Sequence, residues 1–397
     1  MDVALDRFRR LVLDDPDRHA ALWAEGDPRR FAVEVVVRAH VAGIDVDLAT
    51  VQAALSAARA RRLTPGAGAG PLAADPPRAR WDDVADWTPW VISPGVDGPV
   101  VEWVHTAGRS FSDPFFHQTI EAARRHPARL LLDARTALAD LPADAGRAPA
   151  LPVAGLVLHM SRCGSTLVAQ VLDALPRLLV LSEPEPVDAV LRLARAAHPL
   201  PDGTPVGPAH VRAVVTALAR ARHPDHEACV LKLDAWAVAD LPLLRAALPG
   251  VPWVFVHRRG AAVLASHRRV RGIHLWPDGL PGPWPGWAPD LPAGLGADER
   301  DARTLAALVR AAADHAGPDG RVVDHADLPG AVAEVVAPHL GLALDAGDRA
   351  AMAAAGRRDA KNPVQDHVPP AEAPADLARA AERWIEPERA RLVEVMG

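Results

Sequence analysis

Six consecutive residues, Ser161-Arg162-Cys163-Gly164-Ser165-Thr166, combine a cation, a glycine and two hydroxyl donors in an order suited to holding an anion. They follow a short, almost fully apolar run, Val153 to Leu158, which reads as a buried parallel strand. Leu167, Val168, Val171 and Leu172 follow at helical spacing. A strand-to-helix turn of this kind offers backbone N–H groups to phosphate-like oxygens. Gly164 permits close approach, Ser165 and Thr166 donate, and Arg162 supplies charge. The Gly-Lys-Ser/Thr ending of an ATP- or GTP-binding loop is absent, so a P-loop kinase using ATP loses its main support.

Three further residues sit at strand ends. Glu183 follows Leu178-Leu179-Val180-Leu181 and Ser182, Lys232 directly follows Val230-Leu231, and Arg258 comes just after Val254-Phe255-Val256. In an open parallel sheet, ligands bind beyond the carboxyl ends of strands, although a lone Glu there also serves as a helix cap. Ser266 lies eight residues after Arg258. A helix beginning near Gly260 would bring Ser266 within reach of an anion that Arg258 also holds. Lys occurs only twice, at Lys232 and Lys361, while the other basic residues are all Arg; Asn362 is the only Asn and Tyr is missing. A GC-rich genome explains a general preference for Arg. A compact point charge and a planar fork are nevertheless not equivalent in a tight site, which makes the surviving lysines candidates for such sites.

These residues need an α/β scaffold, and the patterning supplies one. Strand-like runs at 153–158, 178–181, 230–231, 254–256 and 321–324 alternate with helical stretches, as in a parallel sheet with crossover helices. Residues 1–63 read as a small all-α segment, with Pro16 opening a second helix after Asp14-Asp15, a stop at Gly43, and Asp47 capping a helix through Val51, Leu55 and Ala58. The Pro/Gly/Ala-rich stretch 64–80 reads as a linker. Residues 81–150, with a strand at Val100–Val104 and a helix opened by Asp113-Pro114, read as an α/β extension packed on the core, leaving 151–397 as the main domain. The Pro/Gly/Trp-rich stretch 272–298, which carries Trp276, Trp284 and Trp287, is long enough to be a lid.

Composition bounds the function. The 397 residues carry a net charge of −6, which argues against a general nucleic-acid binder. No apolar run spans a membrane, and the N-terminus lacks a signal-peptide pattern. Two cysteines form no disulfide framework and suit a reducing cytoplasm. His223, His226 and Cys229 have metal-like spacing without an evident fourth ligand, so no metal is expected. The loop at 161–166 explains Cys163 without nucleophilic thiol chemistry.

Residues 153–363 resemble the sulfotransferase superfamily, which uses 3′-phosphoadenosine 5′-phosphosulfate (PAPS). SRCGST is similar to that family's 5′-phosphosulfate loop, with Arg162 at the basic position; Ser161 and Cys163 depart mildly from it. WVFVHRRGAAVLASH is similar to the 3′-phosphate motif, in which Arg and Ser are eight residues apart as Arg258 and Ser266 are; Arg259-Gly260 replaces the usual Asp-Pro. The spacing also resembles the protein-tyrosine sulfotransferase branch, where a catalytic Glu follows the basic loop residue by 21 positions and a Lys precedes the 3′-phosphate Arg by 26. Arg162 to Glu183 and Lys232 to Arg258 keep both intervals. RVVDHADLPGAVAEVVAPHLGL resembles the strand and helix that close the core. GRRDAKNP, with Arg357, Arg358, Lys361 and Asn362, resembles a late basic segment near the nucleotide. DDPDRHAALWAEGD and RAHVAGIDVDLATVQAAL resemble the small Nif11-like helical domain.

The resemblance implies PAPS held by Ser161, Arg162, Cys163, Gly164, Ser165, Thr166, Arg258, Ser266, Arg357, Lys361 and Asn362. It implies Glu183 as general base, with Lys232 and Arg162 stabilising developing charge. The acceptor would be a hydroxyl or amine of a small molecule or peptide, and the N-terminal helices could grip a peptide partner. A non-catalytic peptide-binding protein is the competing reading from a different class.

Overall fold

The computed structural model describes residues 3–63, 87–106, 110–132, 134–145, 149–276, 279–280, 291–292, 294–358 and 374–397. The 64–80 linker, residues 277–278, 281–290 and 293 of the 272–298 loop (Trp284 and Trp287 among them), and both Lys361 and Asn362 lie outside the described residues.

Four helices open the chain: α1 (Val3–Leu13), α2 (Pro16–Trp23), α3 (Pro28–Val41) and α4 (Leu48–Leu63). Their starts follow from local chemistry. The Asp15 side chain accepts from the backbone N–H groups of Asp17 and Arg18, and Pro16 sits at the first helical position. Asp27 and Pro28 repeat the device for α3, and Asp47 accepts from Thr50 N–H at 2.7 Å to start α4. Gly43 follows the end of α3 with φ +70°, the left-handed conformation in which glycine is least strained. Leu5, Phe8, Leu22, Phe31, Val35 and Val51 form a core of their own, closed by Ala128, Leu131 and Leu132.

The aromatic seam beside this core contains two buried histidines. The His19 and His105 rings lie 4.0 Å apart, and Trp23 Nε1–H donates to His19 Nε2 at 3.0 Å. Burial lowers His19 to about 4 and His105 to about 2, helped by the neighbouring His126, His19 and Arg222 charges. Because the folded values lie below the unfolded 6.5, the stabilisation is complete above pH 6.5 and is lost as pH falls through that window. For His19 the loss at pH 4 is on the order of 3 kcal/mol. Thermal melts between pH 7 and pH 4 should therefore drop steeply in the wild type. His19→Gln, which keeps an acceptor for Trp23 and cannot protonate, should flatten that drop.

A three-stranded antiparallel sheet comes next, ordered β1 (Trp87–Ser93), β2 (Val100–His105), β3 (Ala134–Ala137). The sequence reading did not foresee β1. Pro89 interrupts its pattern, and it is tolerated because β1 is an edge strand whose register shifts between Pro89 and Val91. Helices α5 (Phe116–Arg124), α6 (Pro127–Leu131) and α7 (Leu141–Ala145) flank this sheet. Its buried residues Trp87, Val101 and Trp103 belong to the same apolar cluster as the main domain.

The main domain is built on a parallel sheet of five strands: β4 (Val153–His159), β5 (Leu178–Ser182), β6 (Ala228–Lys232), β7 (Trp253–His257) and β8 (Gly320–Asp324). Their spatial order is β5-β6-β4-β7-β8, all parallel. The intervening helices are α8 (Ser165–Asp173), α9 (Glu185–Arg195), α10 (Pro208–Leu218), α11 (Leu241–Ala247), α12 (Gly260–Arg269), α13 (Ala297–Asp314), α14 (Ala337–His339), α15 (Ala346–Ala355) and α16 (Ala375–Met396). All five residues of β5 and all five of β7 are buried, which accounts for their unbroken apolar character. The segment after β8, expected to be a regular helix, contains a π-helical turn at Val332–Val336 before α14.

The strand order decides where a ligand can sit. From β4 the chain steps outward to β5, returns to β6, then crosses to β7 on the other side of β4. The crevice between β6 and β7, above the tip of β4, is the topological switch point at which open α/β sheets bind ligands.

Candidate active site

Register brings the candidates together. Ser182 pairs with Lys232, Lys232 with Val157, and His159 with Val256, so the last residues of four strands converge. One cavity of about 550 Å³ opens there, lined jointly by Ser161 to Thr166, Glu183, Arg258 and Ser266. That volume lies within the range of small-molecule and cofactor sites, about 300–1,000 Å³.

The loop between β4 and α8 is held in an uncommon shape. Ser161, Arg162 and Gly164 have φ of +71°, +50° and +93°, and Glu183 has φ +55°. Non-glycine residues seldom adopt this region, and such conformations concentrate at binding and catalytic sites. Anchors fix the loop: Ser161 N–H donates to His159 Nδ1 at 3.0 Å, and Arg258 N–H meets Met160 Sδ at 3.3 Å. Gly164 cannot be replaced. Its φ suits glycine, and an added Cβ would lie 2.8 Å from Leu328 Cδ1 and 3.0 Å from His325 Cδ2. Gly164→Ala should weaken anion binding at least about tenfold, since left-handed strain alone costs ~1–2 kcal/mol. Calorimetry with inorganic sulfate or 3′,5′-ADP checks this, and unchanged affinity would remove the loop from the binding site.

The two arginines are placed for an anion. Arg162 donates to the Val270 carbonyl at 2.6 Å, and Arg258 reaches the Arg162 carbonyl at 3.5 Å. Among the described residues, neither guanidinium is paired with a carboxylate. Burial presses both pKa values downward, and the nearby Arg269 cation adds to the effect. Both remain charged at neutral pH, so an incoming anion relieves their repulsion. Arg269, at the end of α12, was not singled out from the sequence.

Glu183 and Lys232 face each other. Lys232 Nζ donates to Glu183 Oε1, and the Lys232 side chain is 0% exposed. The ammonium also sits 5.3 Å from the centre of the Phe115 ring. Burial alone would raise the Glu183 carboxyl, but Lys232 and His159 together hold it well below the usual carboxylate range. The Asp234 carboxyl is driven the other way, upward, by burial first and then by the Glu183 charge. His159, His274 and Asp234 all line the cavity, with Phe115 and Trp236 as its aromatic walls. His159 heads the segment that carries the anion loop but draws no role from the sequence, and Phe115, Asp234, Trp236 and His274 are not picked out from it.

Other expectations resolve differently. Cys163 contributes backbone only: its side chain is buried, its thiol donates to the Val256 carbonyl at 3.0 Å, and burial pushes it up to about 12. Ser266 lies at the cavity on α12, which does begin at Gly260. The Gly260 substitution for Pro has a packing reason: a Cβ there would meet Ile385 of α16 at 2.9 Å, and Gly260 N–H donates to Glu386 Oε1 at 2.7 Å. Arg357 is exposed at the end of α15 and does not line the cavity, whereas its neighbour Arg358 does. Among the described residues, no cluster of His, Cys, Asp or Glu is arranged to hold a metal, and Cys229 is buried in β6. No helix among the described residues is long and apolar enough to cross a membrane.

No protein-family model matches the sequence, and no curated protein matches it. Among solved structures, the chain is similar to a sulfotransferase domain from the Synechococcus PCC 7002 olefin synthase, at 16% identity and a TM-score of 0.35, over 58% of this chain and 94% of that one. It is also similar to a sulfotransferase domain from the curacin biosynthetic pathway, at 13% identity and a TM-score of 0.38, over 62% of this chain and 98% of that one.

Proposed function

We propose that the chain is a sulfotransferase that moves a sulfuryl group from PAPS to a hydroxyl or amine acceptor. The observation that carries this reading is a cavity lined by a strained anion loop, by Glu183 backed by the fully buried Lys232, and by two arginines that, among the described residues, have no carboxylate partner. The loop at 161–166 binds the 5′-phosphosulfate through backbone N–H groups and the Ser165 and Thr166 hydroxyls. Arg258, Ser266 and Arg358, all on the cavity wall, bind the 3′-phosphate end of the nucleotide.

Glu183 takes the proton from the acceptor hydroxyl as its oxygen bonds to sulfur and the sulfur–phosphate oxygen bond breaks. The products are a sulfate ester and 3′,5′-ADP. Lys232 and Arg162 neutralise charge on the sulfuryl oxygens and the leaving phosphate, which preorganised cations do most effectively in a water-poor cavity. The N-terminal helices, in the Nif11-like reading, present a peptide acceptor. Incubation with sulfur-labelled PAPS and a panel of phenols, alcohols, amines and peptides tests the proposal. Transfer of label to one acceptor class is expected, and its absence from every class, with no hydrolysis of PAPS, would overturn it.

A further inference from the structure

His159 ends β4 immediately before the anion loop, and its ring is 5% exposed. Its Nδ1 accepts from Ser161 N–H, so the neutral ring carries its proton on Nε2. Among the described residues that buried Nε2 has no partner at full hydrogen-bond distance, although the Leu233 backbone and the Glu183 carboxylate both bear on the ring. It faces Glu183 Oε1 at 3.7 Å, the oxygen to which Lys232 also donates. A buried donor left unmet calls for an explanation, and catalytic hydrogen bonds are often long before substrate binds.

We propose that His159 is a positioning residue that takes over Glu183 Oε1 when Lys232 turns to the sulfuryl and phosphate oxygens. The inference rests on the sulfotransferase reading above and extends it to a residue outside the anion loop. Exchange of a charged partner for a neutral one raises the basicity of Glu183 during transfer and keeps its carboxylate aimed at the acceptor. In the resting protein, Lys232 holds Glu183 ionised and weakly basic; in the loaded protein, His159 alone steadies it. The other groups that bear on Glu183 are Arg162, Asp234, Glu185 and His274. Among them, burial and the Glu183 charge push the Asp234 carboxyl up. His274, lowered to about 3 by burial and by His159, is neutral at working pH, so His159 is the donor whose geometry reaches Oε1.

Two substitutions separate this role from loop anchoring. His159→Gln places an amide N–H where Nε2–H stands and gives up the acceptor for Ser161. His159→Asn keeps the acceptor and gives up the donor. We expect the Asn variant to lose about tenfold or more in kcat, the scale of one neutral buried donor, and the Gln variant to lose less in kcat, its defect falling on the loop anchor instead. In the Asn variant the acid limb of kcat against pH should move to higher pH, because the Glu183 carboxylate in the loaded protein has lost its donor. Affinity for 3′,5′-ADP should hold in the Asn variant, which keeps the Ser161 anchor, and weaken in the Gln variant, which gives it up. Imidazole nitrogen resonances provide a check independent of turnover: adding 3′,5′-ADP should shift the Nε2–H signal that the Asn variant lacks. The reverse order, with Asn active and Gln impaired and no movement of the acid limb, would overturn the inference and make His159 a loop anchor. Equal activity of both variants with wild type would also overturn it. A wild-type chain that transfers no label would instead overturn the function proposed above, and this inference with it.

Discussion

Glu183→Gln should lower turnover at least about a hundredfold without weakening 3′,5′-ADP binding, because general-base assistance is worth about 10²- to 10⁴-fold. The substitution is nearly isosteric, and the amide oxygen can still accept from Lys232 Nζ. What it removes is the ability to take a proton. In the proposed reading the nucleotide is held by Arg162, Arg258 and the loop, and of these Arg162 alone feels the Glu183 charge. A buried lysine without its counter-ion also costs stability, by about 3–5 kcal/mol where one partner of a buried pair is lost. The variant should therefore melt earlier than wild type, and turnover must be compared well below its Tm. Near-normal turnover would remove Glu183 from the role of base.

Lys232→Arg should be the second most damaging change, although it conserves charge. Lys232 is fully buried between Glu183 and the Phe115 ring, where a larger planar group has no room. Overpacking of this kind costs typically ~1–3 kcal/mol, and a fork cannot deliver a point charge to the same place. We expect turnover to fall at least about tenfold in Lys232→Arg and further, about a hundredfold, in Lys232→Met, which removes the charge. Steady-state kinetics with saturating donor measures both. An Arg variant at the wild-type rate would mean that the scarcity of lysine in this chain reflects codon usage alone.

Much of the site is legible in sequence because its parts lie at strand ends. An apolar run ending in a polar residue marks both the strand and the position of the side chain. Ser161 to Thr166, Glu183, Lys232 and Arg258 stand out this way, and Ser266, inside α12, stands out by its interval of eight from Arg258; the cavity brings Ser161 to Thr166, Glu183, Arg258 and Ser266 together. β5 and β6 end level at Ser182 and Lys232, while β4 and β7 run two and three residues further, which carries the loop and Arg258 out beyond the Glu183–Lys232 pair. The caps of α2 and α4 were equally plain, since Asp15 and Asp47 act on N–H groups two or three residues away.

Other features were not legible, for physical reasons. His159 reads as an ordinary core histidine until β5 and β6 bring Glu183 and Lys232 beside it. Phe115 and Trp236 become cavity walls through packing between elements over a hundred residues apart, which no local pattern encodes. Arg357 and Arg358 are adjacent in sequence, and the way α15 ends turns the second of them toward the cavity. Gly260 departs from the expected proline because α16, far along the chain, packs against it.

The most direct test of the account is whether the cavity prefers a nucleotide carrying phosphates at both ends of its ribose. Calorimetric titration should show 3′,5′-ADP binding about ten- to a hundredfold tighter than 5′-ADP or ATP, the worth of one charge-assisted phosphate contact. Arg258→Ala should erase that preference by weakening 3′,5′-ADP alone. ATP binding as tightly as 3′,5′-ADP, or an Arg258→Ala protein with the preference intact, would contradict the account.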